Sequence, residues 1–269
     1  MSGSIRRVVV TGGASGLGRA FVLELARRGS EILIADVTPD RLAAVVGEAE
    51  ALGARAFSQV VDVRDAAQVE GLLRRAIEVL GGVDLWINNA GVAVAGEIGD
   101  VPLDDWRWVV DVNLWGVVHG CHVVVPHLRA QGHGWVLNVA SAAGLISSPR
   151  MGPYNVTKAG VVSLTETLFG ELADSGVGVT VLCPTFFQTG LLDTARTTDP
   201  RVLKLGARLM QRGRLDADGV ARAALTDLLA GRLYSVPMAD GRLMWRLVRA
   251  LPGVFYRAFP YGAKLLSRR

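Results

Sequence analysis

The 269-residue chain is 50% hydrophobic and 20% charged, a balance that excludes intrinsic disorder and suits one α/β domain or two small ones. Its formal net charge of +4 is uneven: residues 241–269 hold Arg242, Arg246, Arg249, Arg257, Lys264, Arg268 and Arg269 and no acid, which leaves −3 on the rest. The basicity belongs to a tail, so a nucleic-acid-binding body is excluded. Arg6-Arg7 leads straight into Val8-Val9-Val10 and a glycine turn, unlike a secretory signal. The uncharged stretches near 131–149 and 175–192 are interrupted by Gly, Pro, Ser or Asn and do not read as membrane spans. Cys121 and Cys183 sit in apolar surroundings in different elements, as expected of buried free thiols in a cytoplasmic protein.

A β-branched run over 5–10 predicts the first strand. Thr11-Gly12-Gly13-Ala14-Ser15-Gly16-Leu17-Gly18 follows and opens a helix over 16–29. Such glycines permit a tight turn and let backbone approach a pyrophosphate, whose charge suits a helix N-terminus. A turn that uses glycine only to reverse the chain is the plainer alternative. The second strand, 31–36, ends on Asp36, eighteen residues after Gly18. A carboxylate there can accept hydrogen bonds from both ribose hydroxyls and repels a 2′-phosphate, which favours NAD over NADP. Neither Ser15 nor Val37 is the basic residue that would welcome that phosphate. Alternatively, Asp36 merely opens a turn before Thr38-Pro39.

A helix over 39–52 precedes the third strand, 55–61, which delivers Asp62 and Val63 to the same edge. The Asp62 carboxylate is placed to bond an adenine amino group. After a helix over 65–80, the fourth strand, 83–88, runs into Asn88-Asn89-Ala90-Gly91. Small residues there let backbone pass close to a ribose while the amides tie neighbouring strands together; on its own the motif is also an ordinary turn. The long helix 103–131 carries Asn113, a polar residue in apolar company that either holds a water linking Lys158 to solvent or makes a structural amide bond. His119, His122 and His127 lie on the same helix with Cys121. His119 and His122 are spaced to share a metal, but no carboxylate completes the set, so no metal is expected. Trp106, Trp108 and Trp115 are assigned to packing.

The next strand, 135–140, places Ser141 at the carboxyl edge of the sheet, thirteen residues before Tyr154. Tyr154 and Lys158 stand at i and i+4 on a helix over 152–175, so both project from one face. A phenol near its ordinary pKa of about 10 is a poor base at neutral pH, and a nearby ammonium stabilises the phenolate. Tyr-x-x-x-Lys alone reads equally as an exposed helical pair; Ser141, able to orient a substrate oxygen, favours catalysis. A strand over 177–183 ends at Cys183-Pro184-Thr185-Phe186-Phe187. Segment 190–215 is less regular and reads as a flap over the crevice. A helix over 216–230 and a strand over 232–237 precede the extension 241–269. There Met244, Leu247, Val248 and Leu251 fall at helical spacing opposite Arg242, Arg246 and Arg249. Pro252 and Pro260 break any long helix, so this amphipathic tail is read as packing on a neighbouring subunit or capping the crevice in preference to peripheral membrane contact.

Strands alternating with helices predict βαβ units: an α/β fold whose doubly wound parallel sheet, of about seven strands, is covered on both faces, with ligands at the carboxyl ends. No linker divides the chain, so residues 1–269 are expected to form one domain. Thr11-Gly-x-x-x-Gly16-x-Gly18, Asp62, Asn88-Asn89-Ala90-Gly91, Asn113, Ser141, Tyr154-x-x-x-Lys158 and Pro184…Thr189, in this order, closely resemble the short-chain dehydrogenase/reductase family from Ile5 to about Pro237. The resemblance implies a Rossmann fold with Tyr154 as acid/base. It implies that Lys158 lowers the Tyr154 pKa and binds the nicotinamide ribose, that Ser141 orients substrate, and that Asn113 supports a proton relay. Asn89 and the backbone around Leu17, Phe187 and Thr189 are then expected along the cofactor, and helices 103–131 and 152–175 in a homodimer or homotetramer. The family's usual Pro-Gly is Pro184-Thr185 here, which restricts that loop and sets Phe186 and Phe187 beside the nicotinamide.

The expected activity is hydride transfer between NAD and an alcohol/ketone pair. Phe186, Leu191, Leu192 and Met210 of the flap region point to an apolar substrate. Reduction of acyl-thioester-linked ketones, with tail arginines meeting a phosphate-bearing carrier, is an alternative; a non-catalytic dinucleotide-sensing regulator is another.

Overall fold

The computed structural model describes residues 5–211, 213 and 215–258; the tail positions Pro260, Lys264, Arg268 and Arg269 lie outside them. Its strands are β1 Arg7–Thr11, β2 Glu31–Asp36, β3 Ala56–Val60, β4 Leu85–Asn88, β5 Val94–Ala95, β6 Gly134–Val139, β7 Val177–Leu182, β8 Arg196–Thr197 and β9 Tyr234–Ser235. The helices are α1 Gly16–Arg27, α2 Pro39–Ala51, α3 Ala66–Leu80, α4 Leu103–Val110, α5 Gly116–Gln131, α6 Gly152–Glu171, α7 Pro200–Gln211, α8 Ala217–Leu229 and α9 Ala239–Ala250.

Seven strands form one parallel sheet in the order β3-β2-β1-β4-β6-β7-β9. Successive residues of each central strand supply opposite faces, which explains the unbroken apolar runs. Val8, Val10, Ile32, Ile34, Leu85 and Ile87 pack with Phe21, Leu42 and Leu225 of α1, α2 and α8. Val9, Leu33, Trp86 and Val136 pack with Leu72, Val124 and Val161 of α3, α5 and α6 on the other face. The fold is therefore the doubly wound Rossmann arrangement. Chain order reverses at β1, so the crevice opens between the ends of β1 and β4, where Gly12 and Asn89 lie.

Local signals explain the element ends. The Asp65 carboxylate accepts from the Ala67 and Gln68 amides at the start of α3, and Gly81 closes that helix at φ +77°. Between α4 and α5 the backbone passes through a π-helical turn, Asp111–Trp115, which contains Asn113. The continuous rod Leu103–Gln131 is long and apolar enough to cross a membrane by composition, but its α5 part packs as a core helix on α3 and β4.

Two sequence expectations change. Segment 190–215 is not irregular: it holds a 3-10 turn, Gly190–Leu192, then β8, paired with β5, and then α7. The apolar residues of the C-terminal helix also divide differently. Met244 and Val248 are half-buried with Trp245, whereas Leu247 and Leu251 face solvent.

Candidate active site

The glycine turn closes against the end of β4. Gly12 has φ +61°, and a Cβ there would lie 2.7 Å from the Ala90 Cα. At Gly18 a Cβ would stand 2.0 Å from the Gly12 carbonyl oxygen, so no other residue fits. The Asn89 side-chain amide donates to the Thr11 and Gly12 carbonyls at 2.9 Å each, tying β1 to β4. The Thr11 hydroxyl accepts from the Asn89 and Ala90 amides. Ser15 precedes α1 with its hydroxyl free of any capping bond and exposed. Across the opening, Gly16 faces Thr189, 3.7 Å from where its Cβ would be. Leu17 is buried in the core, leaving its backbone at the helix start.

Asp36 accepts from the Ala14 amide at 3.1 Å through one oxygen and from the Thr38 amide at 3.1 Å through the other. It thus both opens the turn and buttresses the glycine loop; a carboxylate has lone pairs left for two hydroxyls. Asp62 is paired with a neighbour. Its carboxylate takes a bidentate grip from Arg64, at 2.5 Å for the closest pair, which holds it below the usual carboxylate range. A carboxylate so held keeps lone pairs for the adenine amino group expected at Asp62. Val63 is buried against Gly116, and its carbonyl is 2.9 Å from His119 Nδ1.

Tyr154 and Lys158 are buried on the first turns of α6. The Lys158 Nζ lies 5.7 Å from the centre of the Tyr154 ring and donates to the Val139 carbonyl at 2.9 Å. Burial pushes the phenol up to about 12, opposed by a hydrogen bond from Ser141. Burial likewise pushes Lys158 down to about 8. Desolvation is the larger influence on the phenol, and the Ser141 hydrogen bond is what opposes it. The Ser141 hydroxyl also accepts from the Ala143 amide at 3.1 Å, and its own backbone amide is bonded to the buried Cys183 thiol. Pro184 is buried, and its carbonyl accepts from the Ala142 amide, so the loops after β6 and β7 are fastened together.

Asn113 makes the structural amide bond. Its Oδ1 accepts from the Val92 amide at 2.8 Å and its Nδ2 donates to the Val92 carbonyl at 2.9 Å. A Cβ on Gly91 would be 3.4 Å from Asn113 Oδ1 and 3.5 Å from Lys158 Nζ. Gly91 thus stands between the two.

The two phenylalanines separate. Phe187 is buried in the cluster shared by α1 and α8, so its side chain is core; Phe186 is 45% exposed. This corrects the expectation of two aromatic rings crowding the nicotinamide. Leu191 and Leu192 are half-buried on the turn after Thr189, with Leu192 3.5 Å from the Cβ position of Gly206 on α7. Met210 is half-buried one turn further along α7.

Sequence reasoning missed three contributors. The Val139 carbonyl anchors Lys158. Arg150, at φ +64°, links the loop before Tyr154 to Asp199 and Glu97. Tyr256 of the extension accepts from the Ser147 amide at 3.3 Å, on the loop between Ser141 and Tyr154.

A dinucleotide fold with a buried Tyr-Lys pair and a half-buried Ser at its carboxyl edge defines a class of oxidoreductases. Residues 6–200 match the family model described as short chain dehydrogenase, and the chain belongs to that family. It is 32% identical over 185 residues to a 3-oxoacyl-[acyl-carrier-protein] reductase of Thermotoga maritima, covering 69% of this chain and 75% of that one. Against a D-beta-hydroxybutyrate dehydrogenase of Rhizobium meliloti it is 32% identical over 199 residues, 71% of this chain and 77% of the other. A short-chain dehydrogenase/reductase from Burkholderia phymatum in complex with NAD superposes with a TM-score of 0.89 at 36% identity, over 93% of this chain and 95% of that one.

Proposed function

We propose that this chain is an NAD(H)-dependent oxidoreductase that interconverts an apolar secondary alcohol and its ketone, acting as one domain with residues 190–215 as the substrate flap. The observation that carries the reading is the buried Tyr154, hydrogen-bonded by Ser141 and flanked by Lys158, beside a glycine cradle where a Cβ at Gly18 cannot fit. The cradle, the free Ser15 hydroxyl at the start of α1 and Asp36 at the end of β2 fit a dinucleotide without a 2′-phosphate. NAD is also what the Burkholderia phymatum structure contains.

When bound, the nicotinamide supplies the hydride acceptor or donor. Ser141 orients the substrate oxygen, and Tyr154 gives it a proton during reduction or takes one during oxidation. A phenol at about 12 keeps its proton at neutral pH, so the resting site is set to donate. Lys158, fixed by Val139, supplies the positive charge that stabilises the phenolate once the proton has left. Asn113 holds Val92 and thereby the Asn89–Gly91 loop that faces the cofactor.

The test is a screen of secondary alcohols of increasing size, with NAD⁺ and then NADP⁺. Turnover should rise with apolar size and be faster with NAD⁺; loss of all turnover, or a preference for NADP⁺, would sink the reading. Reduction of acyl-thioester-linked ketones is the second reading, supported by the Thermotoga maritima relative. A 3-oxoacyl thioester placed in the same screen separates the two.

A further inference from the structure

The extension that follows β9 has two faces of opposite character. Its inner face is fastened to the sheet edge. Gly241 sits against Thr185, Trp245 lies 4.7 Å from the Tyr234 ring between centroids, and Tyr256 accepts from the Ser147 amide. Its outer face carries Leu243 and Leu247, one helical turn apart and 60% and 44% exposed, followed by Leu251 and Val254 at 56% and 64%. No described residue covers them.

Apart from Asp240 in the first turn of α9, which bonds the Gly241 amide and the Thr185 hydroxyl, the charge along this stripe is positive. Arg242, Arg246, Arg249 and Arg257 form no salt bridge among the described residues, although Arg249 bonds Tyr234 and lies 5.7 Å from the Trp245 ring, and the sequence from Gly241 to Arg269 contains no acid. Beside the stripe, α8, β9 and α9 enclose a cavity of about 400 Å³ lined by Arg232, Arg242, Arg246, Tyr234 and Trp245. Arg232 is neutralised by Asp227 at 2.7 Å, and Arg242 spends one nitrogen on the Val236 and Pro237 carbonyls at 2.8 Å. Arg246 has no hydrogen-bond partner among the described residues.

We infer that this outer face docks on an anionic phospholipid surface, with Leu243 and Leu247 entering the interface and Arg246 meeting a headgroup phosphate. The chemistry is that of an interfacial amphipathic helix: exposed leucines flanked by arginines that no carboxylate neutralises. A second copy of the chain fits this face poorly. A two-fold contact would set the arginine stripe against itself, with Asp240 the one acid on α9 to pair it. Docking there leaves the crevice side of the extension free.

The experiment sediments the full-length protein with phosphatidylcholine vesicles, with and without phosphatidylglycerol, at low and high salt. Binding is expected only to the anionic vesicles and is released by salt. Leu243→Ser/Leu247→Ser should lower partition by at least about tenfold. Arg246→Gln should lower it about fivefold, one charge near an anionic surface. Failure to sediment with anionic vesicles overturns the inference, as does unchanged sedimentation of both variants. It is also overturned if the leucine variant dissociates an oligomer in gel filtration, because the stripe would then be an interface between copies.

Discussion

Lys158 holds its ammonium nitrogen 5.7 Å from the centre of the Tyr154 ring, not by bonding the phenol but by donating to the Val139 carbonyl at 2.9 Å. Both groups are buried, and burial drives both towards neutrality, the lysine to about 8 and the phenol to about 12. The site is held at a cost in stability, as active sites commonly are.

That cost gives a first prediction. A lysine free in the unfolded chain has a pKa of 10.5, against about 8 when folded. Between those values the unfolded state binds more protons, so this group's contribution to stability rises with pH. Below pH 8 both states are charged and the penalty is complete; above 10.5 it vanishes. Lys158→Met should therefore melt above the wild type at pH 7, by about 2–4 °C for each kcal/mol relieved. The gap should shrink as pH rises from 8 to 10.5. Thermal melts across that range check it, and a variant that melts lower at every pH contradicts the account.

The proposed preference for NAD rests on Asp36. Asp36→Ala removes the proposed ribose acceptor together with the bonds to the Ala14 amide of the glycine loop and to the Thr38 amide of the next turn. The ratio of kcat/KM for NAD⁺ over NADP⁺ should fall by about tenfold or more, given the worth of charge-assisted hydrogen bonds. An unaltered ratio removes Asp36 from the role.

Gly18 tests the cradle. The extra methyl of Gly18→Ala must displace the Gly12 carbonyl or the Asn89 amide. Stability should drop by about 1–3 kcal/mol through overpacking, and NADH affinity should weaken by at least tenfold. Fluorescence titration with NADH measures the second effect; wild-type affinity would show that the turn does not hold the dinucleotide.

Tyr256 connects the extension to the loop between Ser141 and Tyr154. Tyr256→Ala should raise KM for large alcohols about three- to tenfold with kcat little changed, the signature of lost uniform binding. A fall in kcat at constant KM would place Tyr256 in the chemistry instead.

Much of this was legible in the sequence, and the reasons are physical. Central strands such as Val8–Val10 are buried on both faces, so continuous β-branched runs marked them to within a residue or two. Tyr154, Lys158 and Ser141 were readable because helical spacing and the strand end fix their directions. Pairings that depend on a side chain choosing among neighbours were not readable. Arg64 reaches back two residues to occupy Asp62, and Asn113 turns to Val92. Phe187 finds core while Phe186 does not, although the two are adjacent. Helix α7 was missed because nothing on it is fully buried, so its apolar residues mark only a half-covered face. Nor could spacing alone show that Leu247 faces solvent while its neighbour Val248 is half-buried.

The most direct test of the central claim is Tyr154→Phe, read in two measurements on one preparation. With a secondary alcohol that the wild type oxidises, kcat should fall by about 10² or more, while NADH titration gives a Kd close to that of the wild type. Turnover within a few-fold of wild type would contradict Tyr154 as the proton-transfer residue.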